Sequence, residues 1–159
     1  MKSKAKIPSL ILWYLPVAFI QFLSSRVTIA SINPWYKSLN KAPWNPPPWV
    51  FGPTWMLLYL MMAVAVWIVF LTKPKTSKHK FAYTLFFMQL LVNGAWSFLF
   101  FGMHSPGWAL VDLIVLIFLL VLTFVSFYRI CSLAGWLLIP YLIWSLYALT
   151  LNAAIFWMN

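Results

Sequence analysis

The stretch Trp108-Ala-Leu-Val-Asp112-Leu-Ile-Val-Leu-Ile117 holds the only carboxylate side chain among 159 residues, and it lies inside an apolar run. Eleven Lys and Arg and eleven Trp stand against that single acid. A soluble protein of this size carries charge on roughly a quarter of its residues. Here 8% are charged and 64% are hydrophobic. The chain therefore reads as one whose solvent is mostly lipid, and each polar group at membrane depth calls for a partner.

Working outward from that run, five segments are long and apolar enough to cross a hydrocarbon core, which takes about 20 residues per helix. They lie at about 7–26, 48–71, 80–101, 106–129 and 133–157. Strands are not expected, because the runs are apolar on all faces and lack frequent turn signals. The fold class is an all-α membrane protein. It is a bundle of five transmembrane helices with a long structured loop between helices 1 and 2, in one domain over residues 1–159. Pro48 and Pro53 fall near the start of the second helix, where a missing N–H costs little. Pro16 and Pro140 are interior and predict kinks. Gly102-Met-His-Ser-Pro106 is short enough to make the third and fourth helices antiparallel neighbours.

Basic residues cluster at membrane flanks rather than on a face suited to nucleic acid. Lys2, Lys4, Lys6, Lys73, Lys75, Lys78, Lys80 and Arg129 fall on one side, against Arg26, Lys37 and Lys41 on the other. Eight against three places the N-terminus in the cytoplasm and Asn159 on the opposite side. The first apolar run lacks a small-residue cleavage site after a short core and reads as a retained span. Cys131 is the single cysteine, so no intrachain disulfide forms, and no metal-type Cys/His spacing occurs. His79 and His104 have no acid at a readable spacing. No hydrolytic triad, carboxylate pair or phosphate loop can be assembled. Tryptophan can lose one electron, which leaves redox or light-driven chemistry on a bound pigment open.

The loop from Val27 to about Pro47 is rich in aromatics and prolines, which reads as a structured lid. Inside the spans, polar and aromatic residues recur at helical spacing: Trp55 and Tyr59; Gln89, Asn93 and Trp96; Tyr141, Trp144, Ala148 and Asn152. Two readings stand. These faces line one cavity under the lid for a large planar guest. Alternatively Asn93 and Asn152 are helix glue, worth about 0.6 kcal/mol each. Asp112 is expected to pair with Arg26, or to accept bonds from tryptophan and loop N–H groups. Gly94-Ala95, small and in mid-span, suits close packing between protomers.

The run Trp35-Tyr36…Leu39-Asn-Lys-Ala-Pro43-Trp44-Asn-Pro-Pro-Pro-Trp49-Val-Phe-Gly-Pro-Thr-Trp55…Leu58-Tyr59 resembles the signature of the translocator protein family, also called tryptophan-rich sensory proteins. Asn93-Gly-Ala-Trp96-Ser-Phe-Leu-Phe-Phe101, Ala109-Leu-Val-Asp112 and Ala134-Gly-Trp-Leu-Leu-Ile-Pro140-Tyr-Leu-Ile-Trp144…Ala148…Leu151-Asn152 agree with it. The resemblance implies a membrane receptor or carrier, usually homodimeric. Its ligands would be tetrapyrroles such as protoporphyrin IX and drugs of the isoquinoline and benzodiazepine type. It places the ligand-binding residues at Tyr36, Pro43, Trp44, Trp55, Asn93, Trp96, Trp144 and Ala148, with no required cofactor and no metal. In some bacterial members the tryptophans matching Trp55 and Trp144 are tied to light-dependent porphyrin breakdown. That makes those two the catalytic candidates if the chain acts as an enzyme; a dimeric stress-signalling scaffold is the further alternative. Animal members carry a cholesterol-associated Tyr and basic residue in the last helix. The tail Leu149-Thr-Leu-Asn-Ala-Ala-Ile-Phe-Trp157-Met-Asn159 has neither, which argues against cholesterol and for a bacterial cell membrane.

Overall fold

A computed structural model describes residues 6–73 and 76–159. Lys2, Lys4 and Lys75, used above to orient the chain, lie outside the described residues. The described residues form α1 (Lys6–Ser31), α2 (Pro48–Leu71), α3 (Ser77–Ser97), α4 (Pro106–Ile130), α5 (Ser132–Trp136) and α6 (Ile139–Met158), and no strand among them. A π-helical turn, Phe98–Gly102, extends α3, and a kinked helical segment, Ile32–Tyr36, extends α1. Five helical stretches are long and apolar enough to cross a membrane, with α5 and α6 together making the fifth. Lipid offers backbone groups no hydrogen bonds, so helices that satisfy their own are the form these runs take.

The helices start where the sequence supplies a stop for the preceding chain. Proline occupies the first turn of α2, α4 and α6, where its missing N–H is not needed. At α3 the cap is Thr76, and His79 takes the place usually held by Glu. The Nδ1 of His79 accepts from the Thr76 backbone N–H at 3.2 Å, and its Nε2 lies 2.9 Å from Thr72 Oγ1. One buried imidazole thus ties the end of α2 to the start of α3.

Helix α3 packs along α4 as its antiparallel neighbour, and α4 packs in turn on α5 and α6. Helix α1 packs on α2 and α3 and lies at the edge, giving Val17 as its fully buried apolar residue. The main core is built from Met62 and Val66 on α2, Phe86 and Leu90 on α3, and Leu116 and Phe127 on α4. Phe86 and Phe127 stack at 6.0 Å. A second cluster forms at the opposite end of α3 from the Lys-rich loop. There the π turn brings the consecutive residues Phe100 and Phe101 both inward, against Ala109 and Ile155.

Three expectations are corrected. The loop between the first two spans does not begin at Val27. The chain stays helical to about Ser31, kinks at Asn33, and turns helical again, so Trp35 and Tyr36 stand on a short helical piece beyond the kink. Asn33 is at φ −119° and ψ 130°, the extended conformation that the following Pro34 imposes. The fifth span is not one kinked helix: it is broken at Leu137 and Leu138, and Pro140 sits in the first turn of the second piece. Gly94, expected at a contact between protomers, is buried within the chain. A Cβ at Gly94 would lie 3.0 Å from Ile20 Cγ2, so the glycine seats α1 against α3.

Gly135 has the tightest surroundings. A Cβ there would come within 2.7 Å of Tyr128 Cβ and 2.9 Å of its Cα, because α5 turns back directly over the end of α4. Backbone cannot yield as a side chain does. Gly135→Ala is therefore expected to destabilise the fold by about 1–3 kcal/mol. A thermal melt in detergent reads this as a lowered Tm, and an unchanged Tm would contradict the close crossing.

Candidate functional site: an aromatic ladder under a latched loop

Helices α2 and α6 scarcely touch through their backbones; aromatic rings bridge them. At the level nearest the loop, Phe51 meets Trp144 edge-on at 6.0 Å. One turn deeper, Trp55 meets Tyr141 at 6.1 Å. A further turn down, Tyr59 lies 5.6 Å from Trp55 and closes the ladder. The i, i+4 spacing of Phe51, Trp55 and Tyr59 stacks them on one side of α2. Tyr141 and Trp144, three apart, do the same on α6. Trp55, Trp144 and Ala148 are all half-buried and pack on the main core.

The floor of the ladder is polar. The Tyr59 hydroxyl donates to Asn93 Oδ1, and Asn93 Nδ2 donates to the Tyr141 hydroxyl at 2.7 Å. One carboxamide on α3 thus joins α2 to α6 in a site closed to solvent. Asn93 acts as helix glue here, with each end of its amide engaged. Asn152 does likewise: its Oδ1 accepts from Trp96 Nε1 at 3.0 Å, and its Nδ2 donates to the Pro106 carbonyl at 2.8 Å.

The roof is the segment between Tyr36 and Pro48, fastened to α6 by side chains. The Tyr147 hydroxyl donates to the Trp44 carbonyl at 2.6 Å, and Trp44 Nε1 donates to Thr150 Oγ1 at 3.3 Å. Asn40 and Asn159 exchange a reciprocal pair: the Asn40 N–H donates to Asn159 Oδ1 at 2.9 Å, and Asn159 Nδ2 donates to the Asn40 carbonyl at 3.1 Å. Lys41 sits 4.7 Å over the Tyr36 ring, and its Nζ donates to the Leu39 carbonyl at 2.8 Å. Partial burial pushes the Lys41 ammonium below its ordinary value.

The residues singled out from sequence therefore fall into two groups. Trp55, Trp144 and Ala148 belong to the α2–α6 ladder, with Trp44 latched above it and Pro43 beside Trp44 on the exposed loop. Tyr36 and Trp96 belong to the neighbouring cluster, where Trp96 stacks on Phe100 at 4.9 Å and Tyr36 lies 5.6 Å from Phe101. Trp96 touches both cores and links the two groups. Phe51 and Tyr147 were not singled out. Their signal was present, since Phe51 is one turn before Trp55 and Tyr147 is three residues after Trp144.

The expected Asp112–Arg26 pair is not formed: among the described residues Arg26 is exposed on α1, and α3 stands between that helix and α4. Nor do loop or tryptophan N–H groups reach Asp112 Oδ2, which is buried without a hydrogen-bond partner. Asp112 itself is half-buried on α4. A wide opening of about 700 Å³ lies apart from the ladder, between the first turn of α4 and the last turns of α6, lined by Trp35, His104, Trp108 and Phe156 among others. None of the eight ligand-binding candidates lines it. We place the candidate site at the ladder because its rings, floor and roof form a closed, ordered set.

These features define a multi-pass helical membrane protein with an aromatic inter-helix site. Residues 12–158 match the TspO/MBR family, and the chain belongs to that family. It is 39% identical over 140 residues to the tryptophan-rich protein TspO of Chlorobaculum tepidum, covering 88% of this chain and 89% of that one. It is 40% identical over 145 residues to the TspO of Archaeoglobus fulgidus, covering 91% and 93%. It is 39% identical over 132 residues to the human translocator protein, covering 82% and 78%.

The Asn93 joint carries a stability prediction. Tyr141→Phe keeps the ring but leaves the Asn93 amide without its acceptor in a dry site. The expected cost is about 1–3 kcal/mol. Tm in detergent would report it; a melt matching wild type would show that the joint does not hold α3 to α6.

Proposed function

We propose that the chain is a receptor or carrier for planar tetrapyrroles such as protoporphyrin IX, and for flat drug-like ligands of the isoquinoline and benzodiazepine type. The observation that carries this reading is the ladder itself: two helices bridged by edge-on aromatic rings instead of by backbone packing. A flat apolar guest replaces ring–ring contacts with guest–ring contacts between α2 and α6, at small loss to the aromatic wall. The Asn93 joint stops it from going deeper, and the latched roof closes behind it. The latch bonds are few and exposed, so the roof can lift without unfolding the bundle.

The family membership supports this reading, as do the ladder and its roof. The surplus of basic residues at the α2–α3 end supports a cytoplasmic location for that end, and a bacterial cell membrane is the location we expect. A homodimer is the assembly we expect.

Protoporphyrin IX should quench the intrinsic tryptophan fluorescence in a saturable way. Trp55→Ala and Trp144→Ala should each weaken its affinity by up to about tenfold, from a loss of ~1 kcal/mol of aromatic contact. Trp108→Ala, on the outer opening, should leave affinity unchanged. The reverse pattern, with Trp108→Ala damaging and the other two silent, would move the site out of the ladder and overturn the reading.

Tyr147→Phe removes the hydroxyl that holds the Trp44 carbonyl. It should speed ligand release several-fold while changing association little, because interface and latch changes act mostly on dissociation. Stopped-flow fluorescence would separate the two rates, and equal release from wild type and variant would rule out the latch.

A further inference from the structure

At the opposite end of the bundle a second cavity, of about 470 Å³, opens between α1, the end of α2 and the start of α3. It is separate from the ladder and from the reading placed there. Trp13, Phe70 and Tyr83 form its apolar walls, and Thr76, His79 and Lys80 line its mouth. Trp13 and Tyr83 stack at 5.1 Å. Two hydrogen-bond donors are stranded on these walls: among the described residues, Trp13 Nε1 and the Tyr83 hydroxyl are buried with no partner. Neither atom is open to water as the rings lie, so each carries the cost of an unmade bond, and an acceptor in the cavity reaches them by a small turn of the two rings.

The surrounding charge has one sign. Lys80 lines the cavity, and Lys73 and Lys78 are exposed beside it. Lys80 is one helical turn from Tyr83, toward the membrane surface. His79 is already engaged by Thr72 and Thr76 and serves as wall. An occupant that meets this arrangement needs three properties. It needs apolar bulk against Trp13 and Phe70, acceptor oxygens for two buried donors, and negative charge for Lys80.

We propose that this cavity holds the phosphate-bearing headgroup of an anionic phospholipid, drawn from the leaflet at the Lys-rich end. The phosphate ester supplies acceptors to Trp13 Nε1 and the Tyr83 hydroxyl, and the acyl chains run on along the apolar walls. Position favours a lipid over a soluble anion, because the cavity sits at the end of three spans, where headgroups meet acyl chains. The sequence carries the same pattern as Trp13 and Tyr83 one to two turns inside their spans, with Lys80 at the rim.

The test is native mass spectrometry of the purified full chain with phosphatidylglycerol and phosphatidylcholine of identical acyl chains. Wild type should retain phosphatidylglycerol preferentially. Lys80→Gln should weaken that retention about fivefold, the equivalent of ~1 kcal/mol for one basic side chain at a charged leaflet. Lys80 is exposed, so this variant keeps its fold. Tyr83→Phe, which changes no charge, should also weaken it, and a matching Tm checks that the ring still packs. Lys37→Gln, the same charge change at the other end of the bundle, should have no effect. Equal retention of the two lipids would overturn the proposal, as would Lys37→Gln matching Lys80→Gln, or retention unchanged in both cavity variants. Thermal stabilisation by inorganic phosphate equal to that by phosphatidylglycerol would also overturn it, by showing a site for the free anion.

Discussion

The Asn93 carboxamide is the joint on which the interior depends. Apolar side chains in lipid gain little from burial against one another, since the tails outside are as apolar as the core. What fixes one helix against the next is shape and the scarce directional bonds. Asn93 accepts from Tyr59 and donates to Tyr141, which locks three of the five spans at one depth. With that level fixed, every ring above it on α2 and α6 has a set height. Trp55 then faces Tyr141, and Phe51 faces Trp144.

The five spans were legible because lipid exposure erases amphipathic patterning and leaves only length and apolarity to read. The aromatic site was legible in part. Helical spacing placed Trp55 with Tyr59 and Tyr141 with Trp144 on common faces, and those faces do meet. Spacing could not tell that Asn93 spends its amide on the bundle, because a lining residue and a joint occupy the same face of a helix. The start of the loop was misread for a local reason. Asn33-Pro34 reads as a breaker and does kink the chain, yet the helical course resumes directly after it. The Asp112–Arg26 pair failed for a global reason: shared depth says nothing of which helix stands between two others.

The tryptophans divide into two populations with different physics. Trp49, Trp108 and Trp157 are mostly exposed near helix ends, at 74%, 65% and 76%, as interfacial anchors are. Trp13, Trp55, Trp96 and Trp144 are half-buried and pack on a core. Among these, Trp96 bonds to Asn152 while Trp13 has no partner for its N–H. Composition counts all of them alike. Only the fold separates an anchor, whose N–H meets headgroups and water, from a wall, whose N–H must find an acceptor inside the protein or in a guest.

The helices and the roof over them are held by different kinds of bond. At the Lys-rich end one buried imidazole fastens α2 to α3, and breaking it would strand polar atoms in a dry place. At the loop end buried Asn152 joins α3, α4 and α6, and only the roof above them is held at the surface, by the Asn40–Asn159 exchange and the Trp44–Tyr147 contact. Water can replace such bonds at little net cost, since the net worth of an exposed hydrogen bond is about 1 kcal/mol or less. Release of the exposed latches therefore costs less than separation of the helices beneath them. The aromatic ladder lies under this roof, and below it the Asn93 joint holds α2, α3 and α6 together.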